Sequence, residues 1–146
     1  MAEYEDIYAS IVKFTQDFIK TLPNDIPATF VDFDQHASAD TLPSTSLVGI
    51  RGLSVDSGDV TLSVTIGFGI STVDDKNMFK HRKVVDRLFT LLQPTKTIPF
   101  RNATTGNSYG YLKVAAGTLV LPVSRAKTRA FQEIAVNLLG DRKPTL

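Results

Sequence analysis

The stretch DVTLSVTIGFGIST, residues 59–72, alternates between two kinds of side chain. Its odd positions from Thr61 to Ser71 are all Thr, Ser or Gly, and its even positions form an apolar row: Val60, Leu62, Val64, Ile66, Phe68 and Ile70. Because successive side chains of a β-strand point to opposite faces, this alternation predicts one long strand. We expect the apolar row to pack in the core and the small polar row to be exposed in an isolated monomer.

The residues that precede this strand predict a hairpin and a shorter strand. The turn sequence SVDSGD, residues 54–59, separates the long strand from an apolar run at residues 47–53. Asp, Ser and Gly suit the backbone angles of tight turns, so residues 47–72 are predicted to form a β-hairpin. Residues 28–33 are predicted to form a short strand that is followed by a loop.

Two segments repeat apolar residues at steps of three and four, which is typical of helices with one buried face. The first segment, residues 4–22, carries the stripe Tyr4, Tyr8, Ile11, Thr15, Phe18 and Leu22. The second segment, residues 76–92, carries the stripe Met78, His81, Val85, Leu88 and Leu92. Both helices are predicted to cover the sheet.

The C-terminal half is predicted to add further strands. Residues 97–100, 108–114 and 118–123 have extended patterns, and Pro122 would confine the last of them to an edge or an end. Residues 125–139 fit one face of a helix and one face of a strand about equally, and helix propensity is slightly favourable. We favour a strand, because the apolar row at residues 60–70 needs a partner strand and the helices already provide its cover.

Length and composition indicate the class of protein. The chain has 146 residues, of which 42% are hydrophobic, and this is enough for the core of one domain over residues 1–146. The predicted fold class is α/β in the α+β sense. It consists of a mostly antiparallel sheet of about four to six strands packed against two main helices.

Charge and cysteine content exclude several functions. The net charge of +1 gives no overall field that would attract nucleic acid or an anionic membrane. The absence of cysteine excludes disulfides, thiolate metal sites and a cysteine nucleophile. The sequence contains neither the layout of a signal peptide nor an apolar run long enough for a membrane span, so we expect the chain in the cytosol.

One cluster of candidate metal ligands lies in FVDFDQH, residues 30–36. Asp32, Asp34 and His36 would share one face of an extended segment, and their carboxylate and imidazole groups suit a divalent cation. No second histidine or carboxylate is in register with them, so a solvated strand end is the favoured interpretation. The alternative is a cytosolic enzyme or ligand-binding domain that uses these three residues.

The second helix carries a histidine and four basic residues. His81 lies within the apolar stripe, which favours a packing role over a catalytic one. Nucleic-acid surfaces usually add stacking aromatics or a larger net positive charge, so we expect a solvated or partner-facing side instead. That side comprises Lys80, Arg82, Lys83 and Arg87. No specific nucleic-acid binding, cofactor or metal is predicted.

In the order of its elements, the chain resembles the tail-terminator, or tail-completion, proteins of long-tailed bacteriophages. The resemblance rests on an amphipathic N-terminal helix, a hairpin with a long alternating strand, and a helix that ends in LLQPTKTIPF. A loop, the sequence LVLPVSR and a closing TRAFQEIAVNLLGD follow, and we interpret the last as a strand. These elements cover nearly the whole chain.

The resemblance implies a virion assembly protein and not an enzyme. Subunits of this family form a six-membered ring that caps the tail tube, stops its growth and joins it to the neck, and they have no catalytic residues. The implied partners are further copies of the chain in a hexamer, the tail tube protein and a neck or connector protein, with the sheath as a further candidate and no membrane. The implied location is the tail or neck of the virion, after assembly in the host cytoplasm.

Two alternatives remain beside the tail terminator. One is a head–tail connector or neck ring protein, which has a similar sheet. The other is the metal- or ligand-binding domain that would use Asp32, Asp34 and His36. For the ring proteins we predict that the subunit or tube interface comprises Thr61, Ser63, Thr65, Lys80, Arg82, Lys83 and Arg87.

Overall fold

The computed structural model describes residues 3–35, 45–58, 60–73, 78–115, 117–126 and 129–141. Within these residues lie two α-helices, α1 (Glu3–Lys20) and α2 (Phe79–Leu91), and one 3-10 helix (Phe33–Gln35). The same residues form eight strands: β1 (Thr29–Asp32), β2 (Leu47–Ser57), β3 (Thr61–Val73), β4 (Thr97–Arg101), β5 (Ser108–Val114), β6 (Leu119–Val120), β7 (Ser124–Ala126) and β8 (Arg129–Asp141). Both helices lie where the spacing of apolar residues predicts them.

All eight strands belong to one sheet with the order β1-β2-β3-β8-β5-β4, in which only β1 pairs in parallel. The predicted α+β fold with a mostly antiparallel sheet and two helices is confirmed. The predicted number of strands was too low. The reason lies in β8, whose second edge pairs with β5, β6 and β7 in turn. Pro122 separates β6 from β7, so the segment predicted as one strand at residues 118–123 pairs as a two-residue strand only.

The predicted hairpin is formed by β2 and β3, and β2 is longer than the sequence pattern indicated. Its register against β3 shifts between Arg51 and Ser54, and Gly52 has a φ of 68° at this bulge. Glycine adopts such a left-handed backbone without steric cost, which allows the strand to continue after the irregularity. The bulge hides the alternation of β2, and this explains why a strand ending at residue 53 was predicted.

The ambiguous C-terminal segment is a strand, as predicted, from residue 129 onward, whereas residues 125 and 126 belong to the separate strand β7. β8 pairs with β3 over the full length of both, from Thr61 opposite Asp141 to Val73 opposite Arg129. A helix in this position would leave one edge of β3 without hydrogen-bond partners, and buried peptide groups require them. The pairing therefore outweighs the slight helix propensity of the segment.

The main core lies between the helices and one face of the sheet, here called the helix face. The even positions of β3 from Leu62 to Ile70 are buried there, as predicted, and each large side chain contributes roughly 1.5–3 kcal/mol. Val60 was predicted to belong to this row, but 73% of its surface is exposed because it precedes β3 at the hairpin turn. The helices cover the row with Ile7, Ile11 and Phe18 of α1 and Val84, Val85 and Leu88 of α2.

Candidate interaction surface

The odd row of β3 faces away from the helices, on what we call the outer face of the sheet. Thr61 and Thr65 are exposed and Ser63 is half-buried, whereas Gly67, Gly69 and Ser71 are buried. The prediction that the whole row is exposed in a monomer is therefore wrong for its second half. We call Thr61, Ser63 and Thr65 the open half, and Gly67, Gly69 and Ser71 the covered half.

The chain itself covers the second half with two phenylalanines. Phe33, in the 3-10 helix, and Phe131, on β8, meet edge to face with ring centroids 5.3 Å apart and an interplanar angle of 80°. A Cβ atom on Gly69 would lie 2.7 Å from Cε2 of Phe33 and 2.9 Å from Cε2 of Phe131. Only glycine fits this approach without movement of the rings, so the glycines of the row serve close packing within the monomer.

Charged groups border the covered half. The Arg51 guanidinium carbon lies 5.7 Å from the centroid of the Phe131 ring, and its Nε lies 3.6 Å from Oε1 of Glu133. Arg129 is buried and donates hydrogen bonds from Nη1 to the carbonyl oxygen of Thr45 and to Oγ of Ser71. Burial lowers the pKa of Arg129. These contacts tie β2, β3 and β8 together on the outer face.

The open half lacks such a cover among the described residues. Thr65 donates a hydrogen bond from Oγ1 to Oδ1 of Asn137, which is also exposed. Leu139, directly opposite Ser63, is 49% exposed, and Tyr111 on β5 is 63% exposed. Since directly paired residues share a face of the sheet, Leu139 extends the open half with apolar surface.

The open half ends in a shallow cleft that is lined by Thr61, Tyr111, Lys113, Leu139 and Gly140. Lys113 and Gly140 were not among the predicted interface residues, and neither were the two large apolar residues, Tyr111 and Leu139. The sequence signal for them is weak, because each is one apolar residue in a strand whose register only the fold supplies. The surface is thus a strip of small polar side chains beside two large exposed apolar ones and the exposed Lys113.

The basic residues of α2 form a separate surface. Lys80, Arg82, Lys83 and Arg87 are all exposed, and none of them makes an ion pair with a residue that the structure describes. α2 packs on the helix face, so these residues and the open half lie on opposite sides of the sheet. The seven predicted interface residues therefore do not form one patch.

The candidate metal ligands are only partly described, since His36 lies outside the described residues. Asp32 accepts hydrogen bonds from the Tyr8 hydroxyl at 2.9 Å and from the Asp34 amide at 3.0 Å. Asp34 accepts one from the Gly52 amide at 2.9 Å. The segment turns into the 3-10 helix after Asp32, so the extended backbone expected to place the two carboxylates on one face is absent.

These hydrogen bonds connect the start of the 3-10 helix to α1 and β2. Burial and the contact with Asp32 raise the pKa of Tyr8 to about 12. Both carboxylates thus hold together the elements that position Phe33. Among the residues that the structure describes, no three His, Asp or Glu side chains are grouped closely enough to hold a metal ion.

His81 is fully buried and belongs to a chain of hydrogen bonds, in agreement with the predicted packing role. Gln132 donates from Nε2 to the carbonyl oxygen of Leu121, so its Oε1 accepts from Nε2 of His81 at 3.0 Å. Nδ1 of His81 lies 2.9 Å from the hydroxyl oxygen of Thr72, within hydrogen-bond distance. These contacts fix the start of α2 to β3 and β8.

No helix in the described ranges is long and apolar enough to span a membrane.

Comparison with known proteins gives the fold and no more. No protein-family model matches the chain, and no curated protein matches it. Nine chains of solved structures match it. One of them, whose name states no activity, is similar over 100% of both chains with a TM-score of 0.66 and a sequence identity of 9%. This likeness establishes that the whole chain shares the fold of a known structure.

Proposed function

We propose that this chain is a phage virion assembly protein that forms a ring, caps the tail tube, stops its growth and joins it to the neck. The observation that carries the proposal is the open half of the outer face. It presents Thr61, Ser63 and Thr65 beside the exposed side chains of Tyr111 and Leu139. A face of this kind suits close approach by another subunit or by the tube.

The composition of the open half supports docking over a purely solvated role. Exposed strands usually carry Lys or Glu, which hinder unwanted pairing, and the odd row of β3 carries neither. Tyrosine is enriched in protein interfaces because it combines a large apolar area with one hydroxyl group. Tyr111 therefore supplies the apolar contact, and the small side chains of β3 allow a partner to lie flat on the sheet.

The alternative of a head–tail connector or neck ring relies on the same surface. A ring of either kind needs one contact to its neighbours and one to the tube or neck. The genes that flank this one would distinguish the two roles, since a tail terminator is expected beside tail genes.

The metal- or ligand-binding alternative is less well supported by the contacts of its residues. Asp32 and Asp34 each accept hydrogen bonds that hold the 3-10 helix in place. Replacement of Asp32, Asp34 and His36 by alanine separates the two hypotheses. We expect the triple variant to melt at a lower temperature but still cap tails. Loss of a metal-dependent turnover that the parent chain possesses would favour the enzyme instead.

The direct test of the proposed function is the length of tail tubes. Tubes of the cognate tail tube protein are grown with and without the purified chain, and their lengths are measured by electron microscopy. We expect a narrow length distribution and a ring of density at one tube end when the chain is present. Tubes that continue to grow at an excess of the chain would contradict the proposal.

The state of the free chain is a second test. Contacts that close a ring head to tail are weak one at a time, and a tube end offers a template for them. We expect a monomer or a labile oligomer at micromolar concentration and a hexamer in the particle. Light scattering that detects a tight dimer at every concentration would be incompatible with this assembly route.

A further inference from the structure

Two exposed surfaces of the chain complement each other. The first is the α2 stripe, which we define as Phe79, Lys83, Arg87 and Leu91. Residues four positions apart lie on the same side of a helix, so these side chains follow one another along α2. Phe79 is 75% exposed at one end and Leu91 is exposed at the other, with the two basic residues between them.

The second surface is the hairpin tip, which we define as Asp56, Ser57, Gly58 and Val60. Asp56 is exposed and makes no ion pair with any residue in the described ranges. Val60 is among the most exposed large apolar residues of those ranges. The tip thus offers a negative charge and an apolar side chain, whereas the α2 stripe offers positive charges and apolar side chains.

The apolar end of the stripe at Phe79 cannot meet the hairpin tip within one chain. The start of α2 is held to Thr72 by His81, and the hairpin tip adjoins Thr61 at the other end of the same strand. At about 3.4 Å per residue, the strand separates these two points by roughly 37 Å. That distance exceeds the reach of any pair of side chains.

We propose that the hairpin tip of one copy docks on the α2 stripe of the next copy. Asp56 lies against Lys83 and Arg87, and Val60 packs against the apolar end at Phe79. Because the tip and the stripe are different surfaces, the contact is head to tail, and its repetition generates a ring or an open helix of copies. The inference rests on the proposed function for closure of the ring. Asp56 lies opposite Ser63 at the margin of the open half, so the contact borders that half and leaves the rest of it to face the tube.

Cross-linking tests the contact directly, since the chain contains no cysteine of its own. The double variant Val60→Cys/Lys83→Cys is treated at high protein concentration with a short bis-maleimide and separated on a denaturing gel. A head-to-tail contact places one cysteine of each copy beside the other cysteine of its neighbour. We therefore expect a ladder that continues beyond the dimer, whereas each single variant stops at the dimer.

The matched control moves one cysteine to another exposed position. Val60→Cys/Glu5→Cys keeps the cysteine of the tip and places the second on the first turn of α1, which is also exposed. We expect this variant to give little product beyond the dimer. Equal ladders in the two double variants would overturn the proposal, because random collision would then explain both.

A charge exchange tests the residues involved. We expect Asp56→Lys and Lys83→Glu each to reduce the ladder about fivefold when added to the double variant Val60→Cys/Arg87→Cys, as like charges then face each other. The two changes together restore it, since the pair is again of opposite sign. If the exchange does not restore the ladder, Asp56 is not the residue that contacts the α2 stripe of the neighbouring copy.

The outcomes separate this inference from the proposed function. Normal capping of tail tubes without a ladder overturns the inference and leaves the proposed function standing. A ladder of six copies from a chain that does not cap tubes supports the contact and contradicts the proposed function.

Discussion

The open and covered halves of the odd row of β3 share one strand and one face, yet they have different surroundings. Thr61 and Thr65 are exposed, whereas Gly69 is buried under two phenylalanines. The difference arises from the other elements. β1 and the 3-10 helix run beside only one end of the hairpin and bring Phe33 over the sheet there. A periodic pattern therefore assigns a residue to a face, and the rest of the chain determines whether that face is covered.

The contrast also distinguishes two reasons for small residues in a strand. In the covered half, glycine is required because aromatic rings approach the backbone closely. In the open half, the small side chains of threonine and serine allow close approach by a second protein, which the isolated chain lacks. The same composition thus reflects packing within the monomer at one end and a proposed docking surface at the other.

The largest effect is expected from Val64→Lys, on the helix face between Ser63 and Thr65. Val64 is fully buried, so the substitution places a charge in the core without a partner. We expect a loss of more than about 4 kcal/mol in the free energy of unfolding, enough to unfold the monomer. Circular dichroism during thermal melting measures it, and Thr65→Lys provides the same substitution on the other face. A Val64→Lys variant that melts as the parent does would show that the core assignment of the even row is wrong.

A series of glycine-to-alanine variants tests the covered half. The alanine Cβ would meet the carbonyl group of Val31 in Gly49→Ala, the rings of Phe33 and Phe131 in Gly69→Ala, and the side chain of Glu133 in Gly67→Ala. Backbone atoms can move away from the added methyl group least easily, and the flexible Glu133 side chain can move away most easily. We expect destabilisation in the order Gly49, Gly69, Gly67, with about 1–3 kcal/mol for Gly69→Ala in urea denaturation.

The control for this series is Gly110→Ala on β5. Apart from its two chain neighbours, no described residue has an atom within 4 Å of the position that its Cβ would occupy. We expect a change of less than about 0.5 kcal/mol. A loss at Gly69 no larger than the loss at Gly110 would indicate that the phenylalanines do not pack tightly on the covered half.

Tyr8→Phe tests the attachment of the segment that carries Phe33. The substitution removes the hydrogen bond to Asp32, and we expect a loss of about 1 kcal/mol near neutral pH. The pKa of Tyr8 is raised from 10.0 in the unfolded chain to about 12 in the folded one. The folded state therefore retains its proton longer, so this contribution to stability is complete below pH 10 and is lost as the pH rises through 12.

Urea denaturation at several pH values between 9 and 12 measures this dependence, with pH steps of about one unit. The parent chain is expected to lose more stability over this range than Tyr8→Phe does. Tyr4→Phe is the matched control, since Tyr4 is an exposed tyrosine of the same helix. Parallel pH profiles for the parent chain and Tyr8→Phe would show that the contact between Tyr8 and Asp32 does not cause the loss of stability at high pH.

The smallest effect on stability is expected from Ser63→Lys and Thr65→Lys in the open half. A change on an exposed face usually alters the free energy of unfolding by no more than about 0.5 kcal/mol. In an interface, an unpaired lysine costs several times more through desolvation, so we expect normal melting and loss of tail capping. Thr65→Lys is the stricter variant, because Ser63 is paired with Asp56, which could accept the new charge.

Both lysine variants are compared with the parent chain in thermal melting and in the length of tail tubes. Normal melting together with normal capping would show that the open half is only solvated. The basic side of α2 would then be the next candidate for the tube contact.

The prediction from sequence was most successful for elements whose apolar residues repeat with the period of a single helix or strand. The spacing of apolar residues located both helices, and alternation located β3 with its buried even row. The prediction was weaker for β2, whose bulge interrupts the alternation, and for Val60, which continues the apolar pattern past the end of the strand. For the candidate site, the open half was predicted, whereas Tyr111 and Leu139 were not, because their position depends on the register between strands.

The sequence alone determined which residues share a face, because side-chain direction within one helix or strand follows from local backbone geometry. The residues of β8 fitted the period of a helix and the period of a strand. The sequence therefore predicted a strand there only because β3 needed a partner. The tertiary structure alone decided that Phe33 and Phe131 cover Gly69 while Thr61 and Thr65 remain exposed. Coverage of a face depends on contacts between residues far apart in the chain, and no local pattern encodes those distances.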